Sequence, residues 1–385
     1  FLYEARCAPE EAPSGPQARE RRGKAGATTV RLRQSVRMVA GEDAVLIRYD
    51  LESCPAPAVL RLRPFLAYRG QHELSRRNPF VRNGTEPVPN GFRIAPYQGM
   101  PPLYLQTNRK NRFTAQPLWY ENFEYAREGE RGYDRHEDLF TPGFLDVPFR
   151  SGEAVFVRAA TSVGGEALHR LWRKEEARRR SERRRFIPPD RTAAPFDPSA
   201  LTDQDRSDRE TLLQAARHFL ITTPSGRPAL IAGYPWFGDW GRDTLIALPG
   251  LTFCCGRLEQ GAAILASLAD HERDGLLPNF FAEDGGTPAY NTVDASLWFF
   301  WTVQQYLHYG GNPECVRERF WPVMKRIVTR FREGTRLGIG MDDRGLLHAG
   351  DGAAALTWMD ALVEGKPVTP RDGYAVEINA LWYNA

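Results

Sequence analysis

Residues 154–185 read AVFVRAATSVGGEALHRLWRKEEARRRSERRR, and the fold turns on the change of texture inside that run. Ala154-Val155-Phe156-Val157-Arg158 is short and β-branched, a strand pattern. From Glu166 to Arg185 the chain is charged and helical, with nine Lys or Arg against four Glu. Upstream, Thr29-Val30-Arg31-Leu32-Arg33, Ala44-Val45-Leu46-Ile47-Arg48 and Val59-Leu60-Arg61-Leu62-Arg63 repeat the strand pattern, punctuated by Pro55, Pro57, Gly84 and 87–91. Antiparallel turns would be punctuated that way, so an all-β sandwich is expected over 1–162. Downstream, a basic helix and Pro-containing linker (Pro188 to Pro198) should fill 163–200. Helical patterns follow at 205–220, 243–255, 257–271, 292–309, 312–334 and 375–385. The first should start on a Ser207/Asp208 cap and carry Leu212, Leu213, Ala216, Phe219 and Leu220 on one stripe. No strand-like alternation separates these patterns, so 201–385 is expected to be all-α, a helical toroid or bundle.

Composition narrows the function. The chain has 385 residues, 42% hydrophobic and 26% charged, with a net charge of +3. That excludes disorder and a small disulfide scaffold. No stretch approaches the roughly 20 apolar residues of a membrane span. The basic run lacks the interleaved aromatics of a nucleic-acid surface and reads as a solvated helix. The five cysteines form no metal spacing, and adjacent Cys254 and Cys255 read as buried free thiols. Neither a metal nor a cofactor motif is present, and a reducing, cytoplasmic location is expected. Nothing in the sequence sets an oligomeric state. The chain starts at Phe1 and stops at Ala385 inside an apolar pattern, so it reads as a fragment, with Leu381 and Trp382 expected to lack partners.

Aromatic residues reach 11%, and the tryptophans crowd the second half. Aromatic faces pack against the C–H faces of sugars, although most tryptophans serve as core residues. Three loops mix aromatics with acids. Residues 233–244 contain Trp240, Arg242 and Asp243, the last near a helix start that favours a carboxylate. An Arg-Asp pair offers donors and acceptors for vicinal hydroxyls, but equally forms a cap and an ion pair. In the second, Asn279, Asn291 and Asp294 are candidate hydroxyl ligands, with Trp298 one turn beyond Asp294. Asn291 suits a helix N-cap equally well. The third runs Leu356-Thr357-Trp358-Met359-Asp360, then Thr369-Pro370-Arg371, then a segment holding Glu377. Asp360 follows an apolar pair, so desolvation should raise its pKa, as suits a general acid. Acids among aromatics, without a nucleophile elbow, P-loop or metal cluster, fit glycosidic hydrolysis by two carboxyls.

Trp240-Gly241-Arg242-Asp243-Thr244, Tyr290-Asn291-x-x-Asp294, Leu356-Thr357-Trp358-Met359-Asp360-Ala361, Thr369-Pro370-Arg371 and Ala375 through Asn384 resemble the glucosidase domain of bacterial and archaeal glycogen debranching enzymes, the amylo-α-1,6-glucosidases. Arg131-Gly132-Tyr133-Asp134 and Glu137 through Gly143 are similar to that family's N-terminal β domain. The resemblance implies a six-hairpin (α/α) barrel related to that of glucoamylases, behind a β-sandwich. It implies an inverting enzyme that releases α-1,6-linked glucose at an α-glucan branch point. By resemblance Arg242 and Asp243 bind the terminal glucose, Trp240 is a stacking wall, and Asp360 is the general acid. Asn279, Asn291, Asp294, Trp298, Trp358 and Glu377 become pocket residues, with Asp294 second in line for the acid. The base lies in the C-terminal part of such barrels, and the patterns here supply roughly half the helices. The chain alone is therefore expected to be inactive. One departure stands near the acid: Leu362, Val363 and Glu364 follow Ala361, where the family commonly has a Lys soon after.

Two readings compete. The cleft could belong to a non-catalytic α-glucan-binding protein, or to an α-1,4 exo-glucosidase or phosphorylase on the same barrel. Phosphorolysis would need a basic phosphate site.

Overall fold

The computed structural model describes residues 2–7, 28–54, 57–70, 73–186, 202–234, 237–282, 286–350 and 354–385. The expected linker at Pro188 to Pro198 lies outside them. The chain divides into two compact units, Phe1–Arg180 and Ser181–Ala385.

The first unit is built from antiparallel strands: β1 (Leu2–Cys7), β2 (Thr28–Met38), β3 (Ala44–Ser53), β4 (Ala58–Leu62), β5 (Thr85–Val88), β6 (Gly91–Ile94), β7 (Leu103–Thr107) and β8 (Arg112–Glu124). A short helix α1 (Ala126–Glu130) leads to β9 (His136–Phe149) and β10 (Ala154–Ala160). Seven strands pair in the order β1-β2-β3-β10-β7-β6-β5, and three in the order β4-β9-β8. One apolar cluster holds Leu51, Phe92, Leu105 and Val157 from the larger sheet with Phe140, Leu145 and Val147 from the smaller. β8 tolerates Pro117 because its register slips between Ala115 and Leu118, a bulge that needs no ladder donor there.

Glu137 is a polar hub in this unit. Fully buried, it accepts hydrogen bonds from Arg69 (2.5 and 3.0 Å), the Ser75 amide (3.0 Å) and hydroxyl (3.1 Å), and the Tyr125 hydroxyl (2.6 Å). Burial alone would raise its pKa; the Arg69, Tyr125 and Ser75 bonds outweigh it and hold the carboxyl at about 2.

The charged run forms helix α2 (Leu168–Phe186). Its Leu168, Leu171 and Trp172 bury against Val39, Leu46 and Phe156, and Arg37 stacks 4.0 Å over the Trp172 ring. The face with these residues is structural.

The second unit is mainly helical. Helix α3 (Asp203–His218) starts one turn earlier than expected, on Thr202 and not on Ser207 or Asp208. Thr202 and Asp205 form a capping box in which the Asp205 amide donates to the Thr202 hydroxyl at 3.1 Å and the Thr202 amide returns a bond at 2.9 Å. Leu212, assigned to the apolar stripe, is exposed, and Phe219 and Leu220 lie past the helix end.

Helix α4 (Gly241–Leu248) was expected to run to 255. It changes to a π turn over Pro249–Phe253, where Pro249 has no amide to continue the α ladder. Then come α5 (Leu258–Ala269) and α6 (Asp294–His308). The expected 312–334 helix is three pieces: α7 (Pro313–Cys315), a π turn Val316–Phe320, and α8 (Trp321–Glu333), broken next to Pro322. Helix α9 (Val376–Asn384) follows.

The unit is not purely α. Two-stranded ribbons pair Leu220–Thr222 with Pro228–Leu230, Asp239–Trp240 with Phe280–Phe281, Gly340–Met341 with Leu347–His348, and Leu362–Val363 with Lys366–Pro367. Leu245, Leu248, Leu265, Phe299, Phe320 and Phe331 are fully buried at its core. Leu381 and Trp382, expected to be orphaned, pack on this core. The Trp382 ring lies 6.0 Å from Phe331 and its Nε1 donates to the Gly345 carbonyl at 3.1 Å. On α9 it is Val376 and Tyr383 that face solvent.

Candidate active site

The site is organised around the start of α4. Gly241 lies against the backbone of 278–279: its amide donates to the Asn279 carbonyl at 3.0 Å, and a Cβ there would sit 2.0 Å from the Pro278 oxygen. Only glycine permits that approach. Beside it the Arg242 amide donates to Asn279 Oδ1 at 3.3 Å. Asn279 thus caps a helix 37 residues before it in sequence. It is fully buried, and its Nδ2 has no partner among the described residues.

The Arg242 side chain is buried and grips two carboxylates. Its Nε and Nη2 meet Asp294 Oδ2 and Oδ1 at 2.7 and 3.0 Å, a bidentate fork, while Nη1 reaches Asp360 Oδ2 at 3.1 Å. Asp294 is the first residue of α6 and 2% exposed. Burial pushes its pKa up, with the Arg242 guanidinium pulling the other way. Asp360 keeps 37% of its side chain open. The desolvation expected at Asp360 is therefore found at Asp294, because α6 and α4 enclose the latter while Asp360 sits on a loop.

A cavity of about 410 Å³ lies over this fork, lined by Arg242, Ile246, Asp294, Trp298, Trp358, Glu377, Ala380 and Leu381. Its size falls in the range of small-ligand sites, roughly 300–1,000 Å³. Helical spacing explains the lining: Arg242 and Ile246 on α4, Asp294 and Trp298 on α6, and Glu377 with Leu381 on α9 are each one turn apart. Trp358 is 53% exposed. Arg371 hydrogen-bonds Glu377 and places its guanidinium carbon 5.8 Å from the Trp358 ring centre.

Five of the ten residues singled out from sequence line this cavity: Arg242, Asp294, Trp298, Trp358 and Glu377. Asp360 joins them through Arg242. Asp243 opens to the neighbouring cavity of about 510 Å³, which shares Arg242 and Ile246. Desolvation by the surrounding wall raises its pKa, and the Asp360 charge adds to the shift against the pull of Arg242. Trp240 does not line the cavity; it packs on Phe280, ring centres 4.9 Å apart. Asn291 is exposed outside the lining and does not cap α6, whose N-cap is Val293.

Sequence reasoning missed two supports. One is Arg371, quoted only within a motif. The other is the ion pair of part-buried Arg227 with buried Asp239, 2.5 Å apart, next to Trp240; burial raises the Asp239 pKa against the opposing Arg227 charge. Nothing in local spacing signals either pair. Among the described residues no group of three or more His, Cys, Asp or Glu is placed to hold a metal. None of the helices described is long and apolar enough to cross a membrane.

Two family models match the chain, one within each of its two units. Residues 26–156 match the model for the N-terminal region of glycogen debranching enzymes, and residues 214–385 match the amylo-α-1,6-glucosidase model. The chain belongs to the glycogen debranching enzyme family. Glycogen debranching enzyme of Saccharomyces cerevisiae is 30% identical over 217 residues. That match covers 41% of this chain and 14% of the yeast protein's length.

Proposed function

We propose that this chain carries the glucosidase part of a glycogen-debranching glycoside hydrolase, one that removes α-1,6-linked glucose at branch points of an α-glucan. The observation that carries the reading is the Arg242 fork, which holds Asp294 and Asp360 together at a tryptophan-walled cavity. Trp358 and Trp298 offer faces for the apolar side of a sugar. Arg242, Asp243, Asp294 and Glu377 offer donors and acceptors for its hydroxyls. Trp240 and Asn279 support the wall from behind, and Asn291 serves an outer position.

In this mechanism Asp360, part-exposed and held by the Arg242 that lines the cavity, gives its proton to the glycosidic oxygen as the bond breaks. Two guanidinium groups, Arg242 and Arg371, meet three carboxyls, Asp294, Asp360 and Glu377. One carboxyl can thus be protonated without leaving a cation unpaired. Inversion needs a second carboxyl roughly 6.5–9.5 Å away, with water between. Asp294 and Glu377 are each engaged by an arginine, so we assign neither to that part and expect residues 1–385 alone to bind glucan without turnover. The reading extends to the frame: a β-sandwich over 1–162, a basic helix and linker over 163–200, and helices of a six-hairpin toroid over 201–385, in a cytoplasmic protein.

A second assignment is favoured by one observation, the burial of Asp294 with its raised pKa. The full-length protein distinguishes them. Asp360→Asn should cut glucose release from a phosphorylase limit dextrin about 10²–10⁴-fold yet spare hydrolysis of α-glucosyl fluoride, whose leaving group needs no proton. Asp294→Asn should depress both. Near-normal turnover of the dextrin by Asp360→Asn would overturn the acid assignment. Phosphate-dependent release of glucose 1-phosphate, faster cleavage of maltose than of the branch stub, or tight glucan binding with no turnover in the full-length protein would each replace the hydrolytic reading.

A further inference from the structure

Past the active-site helix, the chain brings two thiols together in a way the proposed hydrolysis does not use. Cys254 and Cys255 follow the π turn Pro249–Phe253, with sulfurs 4.0 Å apart. Both thiols donate to one acceptor, the Gly250 carbonyl, at 2.8 and 3.4 Å. Cys255 is buried against Leu213, Ala216 and Leu251, whereas Cys254 is partly open. The pair is thus one accessible sulfur backed by one sheltered sulfur, already facing the same point.

We propose that Cys254 and Cys255 form a reactive vicinal dithiol, a modification site for hydroperoxides in which Cys254 is the attacking thiol and Cys255 the resolving one. The Cys254 thiolate attacks the O–O bond and takes one oxygen as sulfenic acid, while the other leaves as alcohol or water. The Cys255 sulfur then displaces hydroxide from the Cys254 sulfur, and its thiol proton completes a water molecule. Two thiols lose two hydrogens, and the peroxide gains two electrons. Hydrogen bonding from Cys255 lowers the Cys254 pKa to about 7 and raises that of Cys255, the division of labour such a pair needs. Adjacent Cα atoms lie only about 3.8 Å apart, closer than the roughly 4.4–6.8 Å of relaxed disulfides. The bridge is therefore readily reduced again. Oxidation also removes both donors from the Gly250 carbonyl, and Gly250 lines the cavity that holds Arg242 and Asp243.

The test uses the folded chain treated with a small excess of tert-butyl hydroperoxide, followed by alkylation, intact mass and peptide mapping. The expected product lacks two hydrogens, maps to a 254–255 bridge, and reverts with a thiol reductant. One equivalent of phenylarsine oxide, which clamps paired thiols, should block it. Cys254→Ser and Cys255→Ser should abolish the bridge, and Cys254→Ser should slow peroxide consumption at least about tenfold; Cys54→Ser and Cys315→Ser should do neither. The proposal is overturned if Cys254 and Cys255 remain alkylatable while other cysteines oxidise, if bridges form between chains, or if phenylarsine oxide does not compete. The arsenical arm needs no variant, so a misfolded substitution does not rescue the idea.

Discussion

Arg242 and Asp294 form a bidentate ion pair in which the carboxylate is almost wholly enclosed, 52 residues along the chain from its guanidinium partner. A buried charge without its partner is costly, so this pair should behave as a unit. Arg242→Met is expected to destabilise the chain by about 3–5 kcal/mol in urea unfolding. Adding Asp294→Asn should recover part of that loss, a coupling of about 0.5–3 kcal/mol. Strictly additive effects would mean the two side chains do not depend on each other. Arg242→Lys keeps the charge and loses the fork, and should fall between the parent and Arg242→Met.

Gly241→Ala should be clearly destabilising although it adds a single methyl. The new Cβ meets the Pro278 oxygen at 2.0 Å, a backbone atom that cannot swing aside. We expect a loss of about 1–3 kcal/mol, together with weaker glucan binding because Arg242 is the next residue. A melting temperature within a degree of the parent would show that this contact relaxes easily.

Glu137 gives a pH signature. Its folded pKa, about 2, lies below the ordinary 4.5. The stability it contributes is therefore fully present above about pH 5 and is lost as the pH falls from 4.5 through 2. The full difference is about 3 kcal/mol. Urea unfolding at pH 7, 4 and 3 should show the parent converging on Glu137→Gln as acid is added. A gap between them that stays constant across this range contradicts the assignment.

Trp358 and Trp298 should separate binding from stability. Trp358 is half-exposed at the cavity, so Trp358→Ala should leave unfolding within about 0.5 kcal/mol while weakening maltooligosaccharide binding about five- to tenfold. Trp298 packs edge-on to Trp301 at 5.5 Å, and Trp298→Ala should lower both. Calorimetric titration on the same preparations decides it. Unchanged affinity in Trp358→Ala would remove that ring from the sugar site.

The strands at 29–33, 44–48 and 154–158 and the positions of the main helices were readable because periodicity is a local property. So was the one-turn spacing that puts Asp294 with Trp298. Prolines were visible too, yet their effect was not: Pro249 and Pro322 break expected long helices into α and π pieces without ending them. Ribbons of two or three residues are too short to leave a pattern. Long-range partners were the real gap. Asn279 has the composition of a hydroxyl ligand, and only the approach of Gly241 to 278–279 makes it a cap. Asp360 follows an apolar pair, but the loop leaves it open and Arg242 claims it. Trp240 and Asn291 belong to motifs around the site without entering the cavity.

The Arg242 guanidinium joins residues 52 and 118 positions downstream. Such non-local closures come late, after the loops between them have been ordered. During synthesis the cavity cannot exist until residues 360 to 381 have left the ribosome, however well the first helices have already packed. A nascent chain halted after α6 would hold Arg242 against Asp294 with its third donor pointing at water. Competence at this site is therefore a property of the finished helical unit, acquired at a single late step of its assembly.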